Sequence, residues 1–174
     1  MSIFAPPSGY GPGKLGALAV LSLALAALTA PPAFDRDAGM PDVSTLAEAR
    51  GRVEQVDPQR YGVRFRLHGH TAIFDYPSKA RGNDLVKAAL LAAGKREVVV
   101  SYDPAPRRPL FSAVSRYDVW QLAVEGKPVR TIAQAQAGWR ADNAITPWLF
   151  AWFLFSGCYL ALLALCARRS RKFR

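Results

Sequence analysis

The sequence predicts a membrane α protein with a small α+β domain. Two transmembrane helices flank a five-stranded antiparallel domain, barrel-like or curled, with one inner helix. Three observations predict it. Residues 15–30 and 147–167 carry no charged side chain. All thirteen acidic residues lie between those blocks. Within the middle segment, apolar residues alternate with polar ones at the period of a half-buried strand.

Residues 1–13, rich in Pro and Gly with Gly9, Gly11 and Gly13, read as a flexible cytoplasmic leader. Residues 14–31 read as the first span. Its apolar run is slightly short for a hydrocarbon core of about 30 Å. Ala24-Leu25-Ala26 offers a signal-peptidase-like site, so a cleaved signal peptide competes with an uncleaved anchor. The leader is long and proline-rich, and Lys14, just after it, is the one basic side chain before the apolar run; both favour the anchor.

Residues 147–167 read as the second span. Pro147 suits a first helical turn. Trp148 and Trp152 suit the headgroup level, and Arg168, Arg169, Arg171 and Lys172 follow at once in the basic tail 168–174. The positive-inside rule then places both termini in the cytoplasm and residues 32–146 outside it, in a bacterial inner membrane. Small residues recur every four positions at Ser22 and Ala26, and again at Gly157 and Ala161, a spacing that lets helices pack closely in lipid.

Residues 32–47 form a linker and residues 48–131 the β-rich domain. A short strand at Gly51–Val56 closes at Asp57-Pro58. Tyr61, Val63, Phe65 and Leu67 then form one strand face, with Arg64 and Arg66 on the other. Ala72, Phe74 and Tyr76 continue the apolar face. Asn83 is placed to cap a helix with a Leu85, Val86, Ala89 and Leu90 stripe ending at Gly94. Glu97–Tyr102 and Tyr117–Val124 read as strands, with Lys127–Thr131 as a partner. A mostly polar connecting helix covers 132–146. Closing such short strands favours a barrel; an oligonucleotide- and oligosaccharide-binding type is one option that strand count leaves open.

The Gly-Arg-Val-x-x-Val start at 51–56, the Val-Ser-Tyr-Asp-Pro run at 100–104 and the Leu-x-Val-x-Gly-Lys hairpin at 122–127 lie between the two spans. Together they resemble uncharacterised bacterial two-span membrane proteins with a small extracytoplasmic β domain. The resemblance covers roughly residues 50–167 and implies no catalytic residue.

His68 and His70 are the chain's two histidines. Two apart on a strand they share a face and offer two metal ligands, but a zinc site needs a third and usually a fourth. Asp75 is the nearest acid, and Arg64 is placed to neutralise it. A His-Gly turn is therefore expected, with no cofactor. Ser101, Ser112 and Ser115 lack an elbow motif, and no phosphate-binding glycine loop occurs. Cys158 and Cys166 are too far apart on one helix to bridge.

The net charge of +10 raises nucleic acid as a partner. Six of those charges flank the apolar blocks, where topology accounts for them, so nucleic acid is not expected. Arg60, Arg64, Arg66 and His68, with Arg107 and Arg108 in the proline loop, form the candidate binding surface. Its partners would be a lipid headgroup, an acidic glycan, an envelope protein or a second copy of the chain. The expected function is non-enzymatic: an assembly factor, accessory subunit or immunity-type protector. An envelope sensor signalling through a partner is the alternative, and a His- or metal-dependent enzyme the next.

Overall fold

A computed structural model describes residues 10–107 and 114–172, with side chains through residue 169. The chain divides into two compact units, Met1–Ala38 with Asn143–Arg174, and Gly39–Asp142.

The first unit is a pair of helices, α1 (Pro12–Phe34) and α4 (Thr146–Lys172). Leu15, near the start of α1, clusters with Leu163 and Ala164, near the end of α4. Phe34, at the end of α1, meets Phe150 edge-on with ring centroids 5.2 Å apart. The two helices are therefore antiparallel. Gly157 lets them approach, since a Cβ there would sit 2.8 Å from the Leu23 side chain. Most other large apolar residues, such as Leu21, Leu28, Phe155 and Leu165, are exposed. A helix apolar on every side normally faces hydrocarbon or a protein core. Two helices of the described chain are long and apolar enough to cross a membrane. α1 extends beyond the 14–31 segment at both ends and takes Pro31 and Pro32 into its last turn. Asn143 is buried and donates from Nδ2 to the carbonyl of Arg36 at 2.9 Å, closing the open end of the pair.

The second unit is built on β1 (Ala47–Gln59), β2 (Gly62–Leu67), β3 (Ile73–Pro77), α2 (Asn83–Ala93), β4 (Glu97–Tyr102), β5 (Arg116–Val124), β6 (Lys127–Arg130) and α3 (Ile132–Asn143). The sheet runs β3-β2-β1-β4-β5-β6, and β3 also pairs with β5, so five strands close into a barrel with β6 outside the ring. The closing β3–β5 pair is parallel. The expected purely antiparallel domain is therefore corrected to a mixed barrel. Hairpins make neighbouring strands antiparallel. The closing pair is not joined by a hairpin: α2 and β4 lie between its strands in the chain.

The short strand expected at Gly51–Val56 is instead the middle of the long β1. Its first half pairs with β4 and its second with β2. The register slips between Val53 and Gln55, a bulge that bends one strand across both halves of the barrel. Pro58 does not end the strand. Beyond Arg52 only β2 pairs with β1, so a residue without an N–H is tolerated there.

Val63, Phe65 and Leu67 of β2 point into the core with Phe74 and Tyr76 of β3. Tyr61 does not join them. It is 70% exposed, because Arg60 and Tyr61 form the two-residue turn between Gln59 and Gly62. α2 buries Val86, Leu90 and Ala93, whereas Leu85, expected in the stripe, is exposed. Gly82, not Asn83, stands at the N-cap, with φ of 77°. α3 is more than a connector. It buries Ala135 and Trp139, and Trp139 rests on Trp120 with centroids 5.1 Å apart. Gly138 is required there, since a Cβ would lie 2.5 Å from the Ala80 carbonyl oxygen.

Candidate functional site: a basic cleft on the barrel

The pleat of β2 sends Arg64 and Arg66 outward, and Arg64 stands opposite Asp75 in the β2–β3 ladder. The parallel closure then sets Asp75 of β3 beside Asp118 of β5. Two acids thus meet on the barrel's outer face, where no hairpin rule would have paired them.

Arginines surround them. The segment after β4 folds back so that Arg107 and Arg116 exchange two backbone hydrogen bonds, of 2.8 and 3.0 Å. Arg107 Nη2 then lies 3.3 Å from Asp75 Oδ2 and 3.2 Å from Asp118 Oδ1. Arg64 Nε and Arg116 Nη1 reach the same Asp75 oxygen at 3.6 and 3.9 Å. The Asp75 side chain is only 7% exposed. Burial pushes the Asp118 carboxyl up to about 6; the Arg107 charge opposes this, and Asp75 and Asp103 add to it. Arg64 Nε and Asp118 Oδ1 are buried without an aligned hydrogen bond among the described residues. The cluster is held by charge more than by directed donors.

Beside it opens a cleft of about 420 Å³ whose lining includes Arg60, Arg64, Asp75, Lys79, Arg107 and Arg116. Tyr61 and Trp139 supply aromatic wall. A second cleft of about 170 Å³ shares Arg64 and Arg116 and adds Arg66. The chemistry this arrangement supports is anion recognition, by several guanidinium groups with forked donors.

The structure thus brings together Arg60, Arg64, Arg66 and Arg107 from the sequence-derived surface, with Arg60 contributed by the turn and not by the strand face. Arg108 lies outside the described residues. His68 is exposed beyond the end of β2. Gly69, with φ of 86°, turns the chain between the histidines. His70 Nε2 lies 2.9 Å from the Arg50 carbonyl oxygen and donates to it when that nitrogen carries the proton. Residues 68 and 69 form the turn expected of the pair, and not the shared strand face that a metal site would use. Among the described residues no three His, Cys, Asp or Glu side chains gather to hold a metal.

Sequence reasoning missed Lys79, Arg116 and Asp118. Their signal was the polar register of β5 and a basic residue after β3, which only the closure turns into a site.

On the helix pair, Trp148 and Trp152 are exposed near the start of α4, and Arg168 and Arg169 near its end. Arg171 and Lys172 belong to its last turn. Ala26 and Gly157 are buried, and Ser22 and Ala161 half-buried. No protein-family model, curated protein or solved structure matches this chain.

Proposed function

We propose that this chain is a non-enzymatic binding protein of the bacterial envelope. In this reading α1 and α4 cross the inner membrane, both termini are cytoplasmic, and the barrel domain outside receives an acidic envelope component. The carrying observation is the cleft whose lining, among the described residues, sets Arg60, Arg64, Lys79, Arg107 and Arg116 around the carboxylate of Asp75. In five-stranded barrels of the oligonucleotide- and oligosaccharide-binding type, the face of the second and third strands, with the loops after the first and fourth, is the ligand surface. The cleft draws on those places here: β2, β3, the Arg60–Tyr61 turn and Arg107. Fold analogy alone assigns no ligand, so the charge of the cleft carries the reading.

A photo-reactive residue in place of exposed Tyr61, in the full chain in cells, tests it. A discrete adduct at Tyr61 that is absent when the same group replaces exposed Leu85 is the expected result. No adduct, or equal adducts at both positions, would sink the reading. A reporter fused after residue 100 tests the topology separately: activity on the cytoplasmic side would overturn it.

A further inference from the structure

We infer that Arg64, Arg107 and Arg116 form a binding site for a phosphate group. This rests on the reading of the cleft as a ligand site and specifies the chemistry it takes.

Three guanidinium groups from three parts of the chain converge on one point. That point is now held by Asp75 Oδ2, at 3.3 to 3.9 Å from each. Only the shortest of these separations is within hydrogen-bonding range, and Arg64 Nε has no aligned acceptor among the described residues. Asp75 Oδ2, with Asp118 Oδ1 beside Arg107, therefore leaves donor capacity of the triad unused among the described residues. A tetrahedral anion with three or four oxygens can accept from several guanidinium forks at once.

Charge points the same way. Among the described residues, the cations that line the cleft are Arg60, Arg64, Lys79, Arg107 and Arg116, and the carboxylate that lines it with them is Asp75. A phosphate monoester, at about −1.5 to −2 near neutral pH, would meet mostly cations on that wall. With Tyr61 and Trp139 on its wall, the cleft of about 420 Å³ has room for a group attached to the phosphate.

The phosphate has two sources, a phospholipid headgroup or a soluble phosphate ester. The test uses the full chain in nanodiscs of neutral phosphatidylcholine, titrated with inorganic phosphate at constant ionic strength and read by tryptophan fluorescence. A saturable response is expected, weakened about tenfold or more by Arg64→Gln, which removes one of the three converging cations. The double variant Arg107→Gln with Asp118→Asn removes one charge of each sign and guards against simple unfolding; it should weaken binding too. Arg52→Gln, exposed on β1, should leave it unchanged. Discs containing phosphatidylglycerol then separate the sources: weaker apparent phosphate binding assigns the headgroup, unchanged binding assigns the soluble ester. A response no different from chloride, or one indifferent to both cleft variants, overturns the site. If the Tyr61 adduct forms while phosphate fails, the cleft is a ligand site of other chemistry.

Discussion

Arg107 Nη2 lies 3.3 Å from Asp75 Oδ2, although thirty-two positions separate the two residues in the chain. The same nitrogen is 3.2 Å from Asp118 Oδ1. One cation thus bridges two acids that the parallel β3–β5 pair sets side by side. Arg107→Ala would leave those carboxylates facing each other. The guanidinium is half-exposed, which discounts the cost of a fully buried pair, so a loss of roughly 1–2 kcal/mol is expected. Urea unfolding followed by tryptophan fluorescence measures it; a change within a few tenths would show that Arg107 does not hold the acids.

Asp118 gives the barrel a pH dependence of predictable sign. Its folded value is about 6 against a usual 3.8, because burial disfavours the charged form. The folded state therefore binds more protons between those values. Its contribution to stability is fully present below about pH 4, falls as pH rises to about 6 and is flat above. The amplitude is at most about 3 kcal/mol. Arg107, Asp75 and Asp103 are the charges that act on it. Melting curves of the parent and of Asp118→Asn between pH 4 and 7 should diverge, the parent losing ground as pH rises. Parallel curves, or divergence in the other direction, would refute this.

Tyr76 is fully buried, yet its hydroxyl has work to do. It donates to the Arg81 carbonyl oxygen at 2.7 Å and accepts from Arg130 Nε at 3.2 Å. Burial raises its pKa, so the proton stays available for donation. Arg130 also donates to the carbonyls of Ala80 and Gln134, tying β6 to the turn before α2 and to α3. Tyr76→Phe keeps the ring and removes the junction, at about 1–2 kcal/mol. Chemical denaturation of the two proteins provides the comparison, and an unchanged midpoint would mean that water replaces the bonds without penalty.

The helix pair has its own test at Gly157. A side chain there would run into Leu23, whose backbone nitrogen is also only 3.3 Å from the missing Cβ. Gly157→Ile should push α1 and α4 apart, at roughly 1–3 kcal/mol of packing. In a background carrying Cys158→Ala and Cys166→Ala, Leu15→Cys with Leu163→Cys reports the approach by cross-linking. Undiminished cross-linking in the Gly157→Ile chain would show that the helices do not depend on this close contact.

Much of the architecture was legible because it rests on local periodicity. The charge-free blocks, the strand Glu97–Tyr102, the inward run Val63, Phe65 and Leu67, and the 3.6-residue spacing of Val86 and Leu90 each need only their own neighbours to be read. The errors fell where a distant element overrode the local signal. Tyr61 continues the strand pattern in sequence but sits in a turn, because β1 runs on to Gln59 before the chain reverses. Asn83 has the chemistry of a cap, but Gly82 takes the place because the turn before α2 runs through positive φ at Arg81 and Gly82.

Alone, the sequence determined that the chain carries two apolar helices, that a short-stranded domain with an inner helix lies between them, and that Arg60, Arg64 and Arg66 are near one another. Those properties follow from composition and from side-chain alternation, which a strand imposes on its own residues. Only the tertiary structure decided that the barrel closes through a parallel pair, and with it the site. Asp75 and Asp118 belong to strands with no hairpin between them, and Arg107 reaches both through a fold-back onto Arg116. Register between such strands depends on how the whole ring closes over its core, and no local spacing in the chain records it.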